Sequence, residues 1–166
     1  AYCQSSGIGW TNAPGCNSSS VQQYLVSALL WLAVQRRLDL RKMTLGVVGA
    51  GNVGKKVQLA GEALGMKVLI NDPPRARLEG PEGFVSLDAL LEEAPIISLH
   101  VPLNRGRRDN TFHLVDPIFI DKCRKDAILI NTSRGAVVDE AALVEAIRSS
   151  RFSDVILDVY EKEPYI

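Results

Sequence analysis

One glycine-rich segment of the chain has the residue types and the spacing to bind a phosphate. It reads Gly49-Ala50-Gly51-Asn52-Val53-Gly54 and matches G-x-G-x-x-G. In this pattern Gly49 permits a tight turn, Gly51 lets the backbone approach a pyrophosphate, and Gly54 lets a helix pack closely on a strand. The N–H groups and the positive dipole end of that helix hold the diphosphate. The segment predicts a dinucleotide site formed by Gly49, Gly51, Asn52, Val53 and Gly54, and a glycine turn that binds nothing is the alternative.

A carboxylate follows this segment at the distance that a dinucleotide site requires. Asp72 lies 18 residues after Gly54, at the end of the next apolar run. An acidic side chain there accepts hydrogen bonds from the adenosine ribose hydroxyls and repels a 2′-phosphate, which favours NAD over NADP. A turn-forming Asp72 ahead of Pro73-Pro74 is the alternative. Arg75 and Arg77 are close enough to leave some tolerance of NADP open.

The elements that must position these residues alternate along the chain. Short runs rich in Val, Ile and Leu predict strands at 44–48, 67–71, 96–99, 127–131 and 154–158. Helical patterns lie between them at 52–64, 87–93, 116–124 and 139–149, and a long one precedes them at 18–39. Continuous apolar strands that alternate with helices predict an α/β fold with a doubly wound parallel sheet, a Rossmann NAD-binding domain. Residues 1–17 are predicted to be loop or extended chain.

The long helix at 18–39 is apolar on more than one side. Val21, Leu25, Ala28 and Leu32 form one stripe, and a second set widens it: Tyr24, Leu30, Trp31 and Val34. A surface helix needs one apolar stripe, so the second indicates burial against another domain or subunit. A helix wholly inside one core is the alternative. The first interpretation predicts a homodimer.

Composition excludes several classes of function. Lys plus Arg and Asp plus Glu both number 19, so no net charge draws the chain to nucleic acid or to an anionic membrane. No apolar run approaches the ~20 residues of a membrane span, and no signal peptide opens the chain. Three cysteines, Cys3, Cys16 and Cys123, fit no metal-ligand spacing. We expect a cytoplasmic protein with reduced thiols and no metal site.

Polar residues also follow three later strands, where ligands of such sheets bind. The segments are Ser98-Leu99-His100-Val101-Pro102-Leu103, Ile130-Asn131-Thr132-Ser133-Arg134-Gly135-Ala136-Val137-Val138-Asp139 and Leu157-Asp158-Val159-Tyr160-Glu161-Lys162-Glu163-Pro164. Together with the glycine segment and Asn12-Ala13-Pro14-Gly15-Cys16-Asn17, they resemble the D-isomer-specific 2-hydroxyacid dehydrogenases. The resemblance runs over nearly the whole chain and keeps the order of the motifs. It implies hydride transfer between a small 2-hydroxy acid and NAD.

The resemblance implies a role for six residues outside the glycine segment. Arg134 matches the catalytic arginine, and its charged planar fork can pair with a carboxylate, polarise the reacting oxygen and contact the cofactor. Glu163 matches the carboxylate that orients the catalytic histidine, and Asp158 matches the acid that holds the nicotinamide carboxamide. Val101, Thr132 and Ser133 are implied to line the cofactor. From the residues alone, an ordinary turn would explain Arg134 and Asp158, and a solvated surface acid would explain Glu163.

Neither histidine of the chain matches the catalytic histidine of that family. The resemblance places the catalytic histidine about twenty residues beyond the Glu163 motif, and the sequence given ends at Ile166. Both His100 and His113 are predicted to be structural. We therefore expect residues 1–17 to be the remnant of a crossing from a substrate domain. Residues 18–166 are expected to be the NAD-binding domain, inactive by itself.

Two short stretches narrow the resemblance within the family. Pro14-Gly15-Cys16-Asn17 and Asn71-Asp72-Pro73-Pro74-Arg75-Ala76 are most similar to the branch that oxidises 4-phosphoerythronate in vitamin B6 synthesis. Another 2-hydroxyacid dehydrogenase, such as one acting on phosphoglycerate, is the first alternative. An NAD-sensing corepressor on the same fold is the second. A methyltransferase would leave Arg134 and the segment from Asp158 to Glu163 unexplained.

Overall fold

A five-stranded parallel sheet lies at the centre of the structure, a computed structural model that describes residues 2–106 and 108–163. The strands are β1 (Thr44–Val48), β2 (Lys67–Asn71), β3 (Ile96–Leu99), β4 (Ala127–Asn131) and β5 (Phe152–Leu157). Their order across the sheet is β2-β1-β3-β4-β5, and every neighbouring pair is parallel. The chain changes direction across the sheet between β1 and β3, and ligands of such sheets bind at that point.

The carboxyl ends of all five strands are in register. Val48 pairs with both Asn71 and Leu99, Leu99 pairs with Asn131, and Asn131 pairs with Leu157. These five residues form one row across the end of the sheet. The turns that follow them, which begin at residues 49, 72, 100, 132 and 158, therefore leave the sheet side by side.

Helices cover both faces of the sheet. The helices are α1 (Tyr2–Ser5), α2 (Ser18–Arg36), α3 (Asn52–Ala63), α4 (Pro73–Glu79), α5 (Leu87–Glu93), α6 (Pro117–Lys122) and α7 (Glu140–Arg148). Leu29 of α2 and Val57 of α3 share one buried cluster with Val47 and Ile130 of the sheet. Residues of α5, α6 and α7 form the cluster on the opposite face with Val48 and its neighbours. The predicted doubly wound α/β fold is confirmed.

Local sequence explains where the later helices begin. Ser86 accepts a hydrogen bond from the Ala89 N–H at 3.2 Å, and Asp116 accepts one from the Phe119 N–H at 2.8 Å. The Asp139 carboxylate accepts from two N–H groups of α7. Each such cap stabilises its helix by about 1 kcal/mol.

Several predicted boundaries differ from the structure. The long helix ends at Arg36 rather than near 39, because Arg37 turns to a φ of 55° and a 3-10 turn follows at Leu40–Lys42. Pro73-Pro74, where no helix was predicted, begins α4, since proline fits the first turn of a helix. Residues 1–17, predicted as loop or extended chain, contain the one-turn helix α1. The last strand begins at Phe152, two residues early, beside an irregularity in its register.

Helix α2 has one buried and one exposed apolar side. Leu25, Leu29 and Leu32 are essentially inaccessible to solvent. The exposed side carries four large apolar residues: Tyr24, Leu30, Trp31 and Val34. The alternative of a helix wholly inside one core is therefore wrong for this chain. Within the part that the structure describes, no helix has the length and apolar character needed to cross a bilayer.

Candidate functional site

The turns after β1, β2 and β3 surround a cavity of about 260 Å³. Four of the predicted site residues line it: Gly49, Gly51, Asp72 and Val101. His100 lines the cavity as well. The cavity lies at the change of direction between β1 and β3, so the structure brings these predicted residues together where the sheet would bind a ligand.

Two glycines, Gly49 in the turn after β1 and Gly54 in the first turn of α3, are required by the fold. Gly49 has a φ of 95°, and a Cβ there would lie 2.7 Å from the His100 carbonyl oxygen and 2.9 Å from the Val101 side chain. A Cβ on Gly54 would overlap the Gly49 carbonyl oxygen, well inside the 3.0 Å that real Cβ contacts keep. Glycine at position 49 therefore lets the turn lie close to the end of β3. Glycine at position 54 lets α3 lie close to the turn.

Gly51 is different, because nothing in the fold requires glycine there. Its φ of −71° suits any residue, and a Cβ on Gly51 would meet no atom within 4 Å. Gly51 precedes Asn52 and Val53, the first residues of α3. The first backbone bond at this helix end runs from the Lys55 N–H to the Gly51 carbonyl at 3.1 Å. The N–H groups of the residues before Lys55 have no acceptor within the helix, so they can bind an anion beside the bare Gly51 Cα.

Asp72 holds the turn from the side of β2. Its Oδ2 accepts the Ala50 N–H at 2.7 Å, and its Oδ1 accepts the Arg75 N–H at 3.0 Å and so caps α4. The turn-forming role that the sequence left open is therefore real. A carboxylate has about four acceptor positions, so two remain for the hydroxyls of a ribose.

His100 is a neutral residue within this site. Its Nε2 lies 2.8 Å from the Ser98 Oγ, and its Nδ1 lies 3.5 Å from the Thr132 Oγ1. Burial lowers the pKa of His100 to about 4, because the charged ring would lose its hydration. A histidine of that pKa does not hold a proton near neutral pH, which agrees with the structural role predicted for it.

The turn after β4 carries Arg134 outward on a buried support. Asn131 is fully buried, and its Oδ1 accepts both the Ser133 N–H at 3.0 Å and the Ser133 hydroxyl at 2.7 Å. Its Nδ2 donates to the Arg134 carbonyl at 3.1 Å. The Arg134 guanidinium is exposed and donates to the Ser133 carbonyl at 2.7 Å. Sequence reasoning assigned no role to Asn131, although asparagine two residues before serine is typical of such a side-chain turn.

The turn after β5 packs directly on the turn after β4. Asp158 is exposed, and its N–H donates to the Asn131 carbonyl at 3.0 Å. Gly135 contacts the backbone of Tyr160 so closely that no side chain would fit. The Glu163 carboxylate accepts the Tyr160 N–H. Within residues 2–106 and 108–163, no ion pair joins Arg134 to Glu163.

The predicted site residues thus fall into two groups along one edge of the sheet. The first group surrounds the cavity. The second group lies along the same edge but outside the cavity lining: Asn52, Val53, Gly54, Thr132, Ser133, Arg134, Asp158 and Glu163. A ligand that reached both groups would extend from the turn after β2 to the turns after β4 and β5.

His113 joins the loop after β3 to the turn after β5. Its Nε2 lies 2.6 Å from the Glu161 carboxylate, and its Nδ1 lies 3.9 Å from that of Asp139. Its ring stacks on Phe112 at 3.9 Å. His113 does not line the cavity, so the geometry gives it a role in holding two loops together rather than in contacting a ligand there.

Comparison with known proteins identifies related sequences. A family model described as "D-isomer specific 2-hydroxyacid dehydrogenase, NAD binding domain" matches residues 21–166. Erythronate-4-phosphate dehydrogenase from Bacteroides fragilis is 48% identical over 166 residues, which are 100% of this chain and 48% of that protein. The enzyme of the same name from Salinibacter ruber is 47% identical over 98% of this chain and 43% of its own length. The chain spans about half the length of the curated relatives it matches.

Solved structures agree with the sequence comparison. D-lactate dehydrogenase from Aquifex aeolicus, in complex with NAD and lactic acid, superimposes with a TM-score of 0.82 at 34% identity, over 98% of this chain and 54% of that one. A D-lactate dehydrogenase from Treponema pallidum gives a TM-score of 0.83 at 29% identity, over 99% and 55%.

Proposed function

The chain belongs to the D-isomer-specific 2-hydroxyacid dehydrogenases as their NAD-binding domain, and we propose that the whole protein oxidises 4-phospho-D-erythronate. Carbon 2 of the substrate gives a hydride to NAD, its hydroxyl gives up a proton, and the product is 2-oxo-3-hydroxy-4-phosphobutanoate. The similarity to proteins named erythronate-4-phosphate dehydrogenase supports this substrate, at 46–48% identity. We further propose a place for this protein in vitamin B6 synthesis.

The observation that carries the cofactor assignment is the bare Cα of Gly51. NAD is the cofactor of this family. The fold does not require a glycine that has an ordinary φ and open space around it, whereas the close approach of a pyrophosphate explains it. The N-terminus of α3, with Asn52 and Val53, would hold the diphosphate, and Asp72 would hold the adenosine ribose. The residues present therefore fit NAD, which supplies the hydride acceptor when bound.

The remaining predicted residues would act along the edge toward β5. Val101 and Thr132 would contact the cofactor from the turns after β3 and β4, together with Ser133. Asp158 would hold the nicotinamide carboxamide. The exposed Arg134 guanidinium would pair with the substrate carboxylate and polarise the oxygen at carbon 2. The buried Asn131 supports this role because it fixes the turn from which Arg134 projects.

We propose that the proton of the substrate hydroxyl goes to a histidine that this chain does not contain, which Glu163 would orient. His100 has a pKa of about 4, which is too low for a base that must take up a proton near neutral pH. His113 is engaged with Glu161 away from the cavity. The chain alone should bind NAD and turn over at most slowly, since a missing acid–base typically costs ~10²–10⁴-fold.

We also propose that residues 18–166 form the NAD-binding domain and that residues 1–17 belong to a crossing from a substrate domain. Helix α2 begins at Ser18 and packs on the sheet, which supports this boundary. Before it, Gly15 has a φ of 78°, and a Cβ there would lie 2.7 Å from the Asn52 Nδ2. The end of the crossing thus lies against the start of α3.

We propose a cytoplasmic homodimer that forms through the exposed apolar side of α2. Trp31 and Val34 are 59% and 74% exposed, and apolar side chains grouped on one helix face are typical of an interface. Light scattering tests this: a dimer that Val34→Lys dissociates would support it. A wild-type monomer at high concentration would refute it.

The assay that tests the whole proposal uses the full-length protein with two phosphorylated acids. We expect NAD-dependent oxidation of 4-phospho-D-erythronate at a kcat/KM far above that for 3-phospho-D-glycerate. An equal or reversed preference would refute 4-phospho-D-erythronate as the substrate, while the family assignment would stand. Calorimetric titration of NAD against the chain tests the cofactor separately, and no measurable affinity in folded protein would overturn that part.

A further inference from the structure

Arg75 and Glu79 form an ion pair on α4, next to the carboxylate that would hold the adenosine ribose. They lie one helical turn apart, and the Arg75 Nη2 contacts the Glu79 carboxylate. The Arg75 side chain is 22% exposed, and that of Glu79 is 45% exposed. A partly exposed ion pair of this spacing contributes little to stability. The pair matters instead because it holds the Arg75 guanidinium near the Asp72 carboxylate.

Both backbone polar groups of Ala50 are held by α4 and the residue that caps it. The Ala50 N–H donates to the Asp72 Oδ2 at 2.7 Å, and the Ala50 carbonyl accepts from the Arg75 Nη1 at 2.5 Å. The guanidinium and the ribose-binding carboxylate are therefore separated by the backbone of a single residue. A 2′-phosphate on the ribose would come within reach of the Arg75 guanidinium.

The Arg75 guanidinium has the chemistry to bind that phosphate. Arginine forks bind phosphate oxygens through charge-assisted hydrogen bonds, and a nearby arginine accommodates the 2′-phosphate of NADP in folds of this kind. The Nε of Arg75 is buried and has no hydrogen-bond partner among the described residues. Nη1 donates to the Ala50 carbonyl, so Nη2 is the terminal nitrogen that could bind a phosphate if Glu79 did not occupy it.

We propose that Glu79 is a specificity-determining residue that prevents the use of NADP. Its carboxylate occupies one amino group of Arg75 and neutralises the guanidinium, so that a 2′-phosphate beside Asp72 finds this guanidinium already paired. Asp72 repels the phosphate directly, and Glu79 prevents the Arg75 guanidinium from pairing with it. This inference rests on the proposed binding of NAD at the turn after β1. It identifies Glu79 as the second of two carboxylates that distinguish the cofactors.

The test measures the dissociation constants of NAD and NADP for the full-length protein by calorimetry. Glu79→Gln should tighten NADP about 10-fold and change NAD by less than about 2-fold, because NAD carries no phosphate at this point. Glu79→Lys should tighten NADP at least as much. Adding Arg75→Gln to Glu79→Gln should abolish the gain, since the freed guanidinium is its cause.

The matched control is Glu82→Gln. Glu82 lines the same hollow of about 250 Å³ as Arg75 and Glu79, but no ion pair joins it to Arg75 within the described residues. Glu82→Gln removes the same charge and should leave the NADP to NAD ratio unchanged. Equal ratios for the wild type, Glu79→Gln and Glu79→Lys would overturn the inference, as would equal gains from Glu79→Gln and Glu82→Gln. Failure of the wild type to bind either cofactor would instead refute the proposed function.

Discussion

Replacement of Gly51 by alanine should separate what the fold needs from what the cofactor needs. Alanine accepts the φ of −71° and the extended ψ of −158° found at Gly51, and its Cβ would meet no atom within 4 Å. The smaller entropy of the unfolded chain favours Gly51→Ala by about 0.4–1 kcal/mol. The loss of glycine as the N-cap of α3 opposes it by roughly 0.5–1 kcal/mol. The two effects nearly cancel.

The free energy of unfolding should therefore change by less than about 1 kcal/mol, which is a shift of at most ~4 °C in the Tm of a domain of this size. NAD affinity should fall at least about 10-fold, since the new methyl group takes the space that the pyrophosphate needs. Thermal denaturation and calorimetric titration of the same sample measure both quantities.

Gly54→Ala is the matched control, because it adds the same methyl group three residues later. Its Cβ would lie about an ångström inside the 3.0 Å floor of real Cβ contacts, against the Gly49 carbonyl oxygen. Overpacking of this kind costs about 1–3 kcal/mol, so Gly54→Ala should lower the Tm by several degrees. A Gly51→Ala protein that binds NAD as tightly as the wild type would refute the reasoning, and so would one that melts as early as Gly54→Ala.

Three further predictions test the edge of the sheet. The pKa of His100 is about 4 in the folded chain and near 6.5 when unfolded, so the unfolded chain binds the proton first as the pH falls. The free energy of unfolding should thus be highest above pH ~6.5 and fall by up to roughly 3 kcal/mol toward pH ~4. Denaturant titrations at a series of pH values measure this fall. A His100→Gln protein whose free energy of unfolding falls equally with pH would contradict the prediction. Asn131→Ala should lower the free energy of unfolding by about 2–4 kcal/mol in chemical denaturation, because it leaves the buried polar groups of Ser133 and the Arg134 carbonyl without their partner. An unchanged midpoint would show that the turn is stable without Asn131. Arg134→Gln in the full-length protein should reduce kcat/KM by about 10²–10³-fold with a much smaller change in NAD affinity, and steady-state kinetics that show only a higher KM for NAD would remove Arg134 from the catalytic role.

The sequence predicts the sheet well because each strand is a short apolar run with a clear boundary. Four of the five strands begin and end where the apolar runs do, and the fifth differs beside an irregularity in register. The order of strands across the sheet depends on packing between distant segments, which local patterns do not contain. Helix α4 was missed because Pro73-Pro74 suits both a turn and the first turn of a helix.

The candidate site was predictable only in part for a similar reason. The spacing of glycines and Asp72 indicates the cofactor turn, since those residues are consecutive or follow a fixed strand. The hydrogen bond from Arg75 to the Ala50 carbonyl joins residues 25 apart in the sequence, and no local sequence pattern predicts it. Asn131 supports Arg134 through side-chain bonds, and strand propensity cannot reveal such bonds. The exposed side of α2 was visible as a second apolar stripe, but only the packing shows which stripe is buried.

The aligned row of strand ends makes the site sensitive to length. Inserting or deleting one residue within a strand would displace its following turn by about 3.3 Å and invert the side chains along it. Asp72 would then miss Ala50, or Asn131 would lose the turn that it supports. Changes of length are therefore tolerated only outside the strands and beyond the turn residues that are proposed to bind the cofactor.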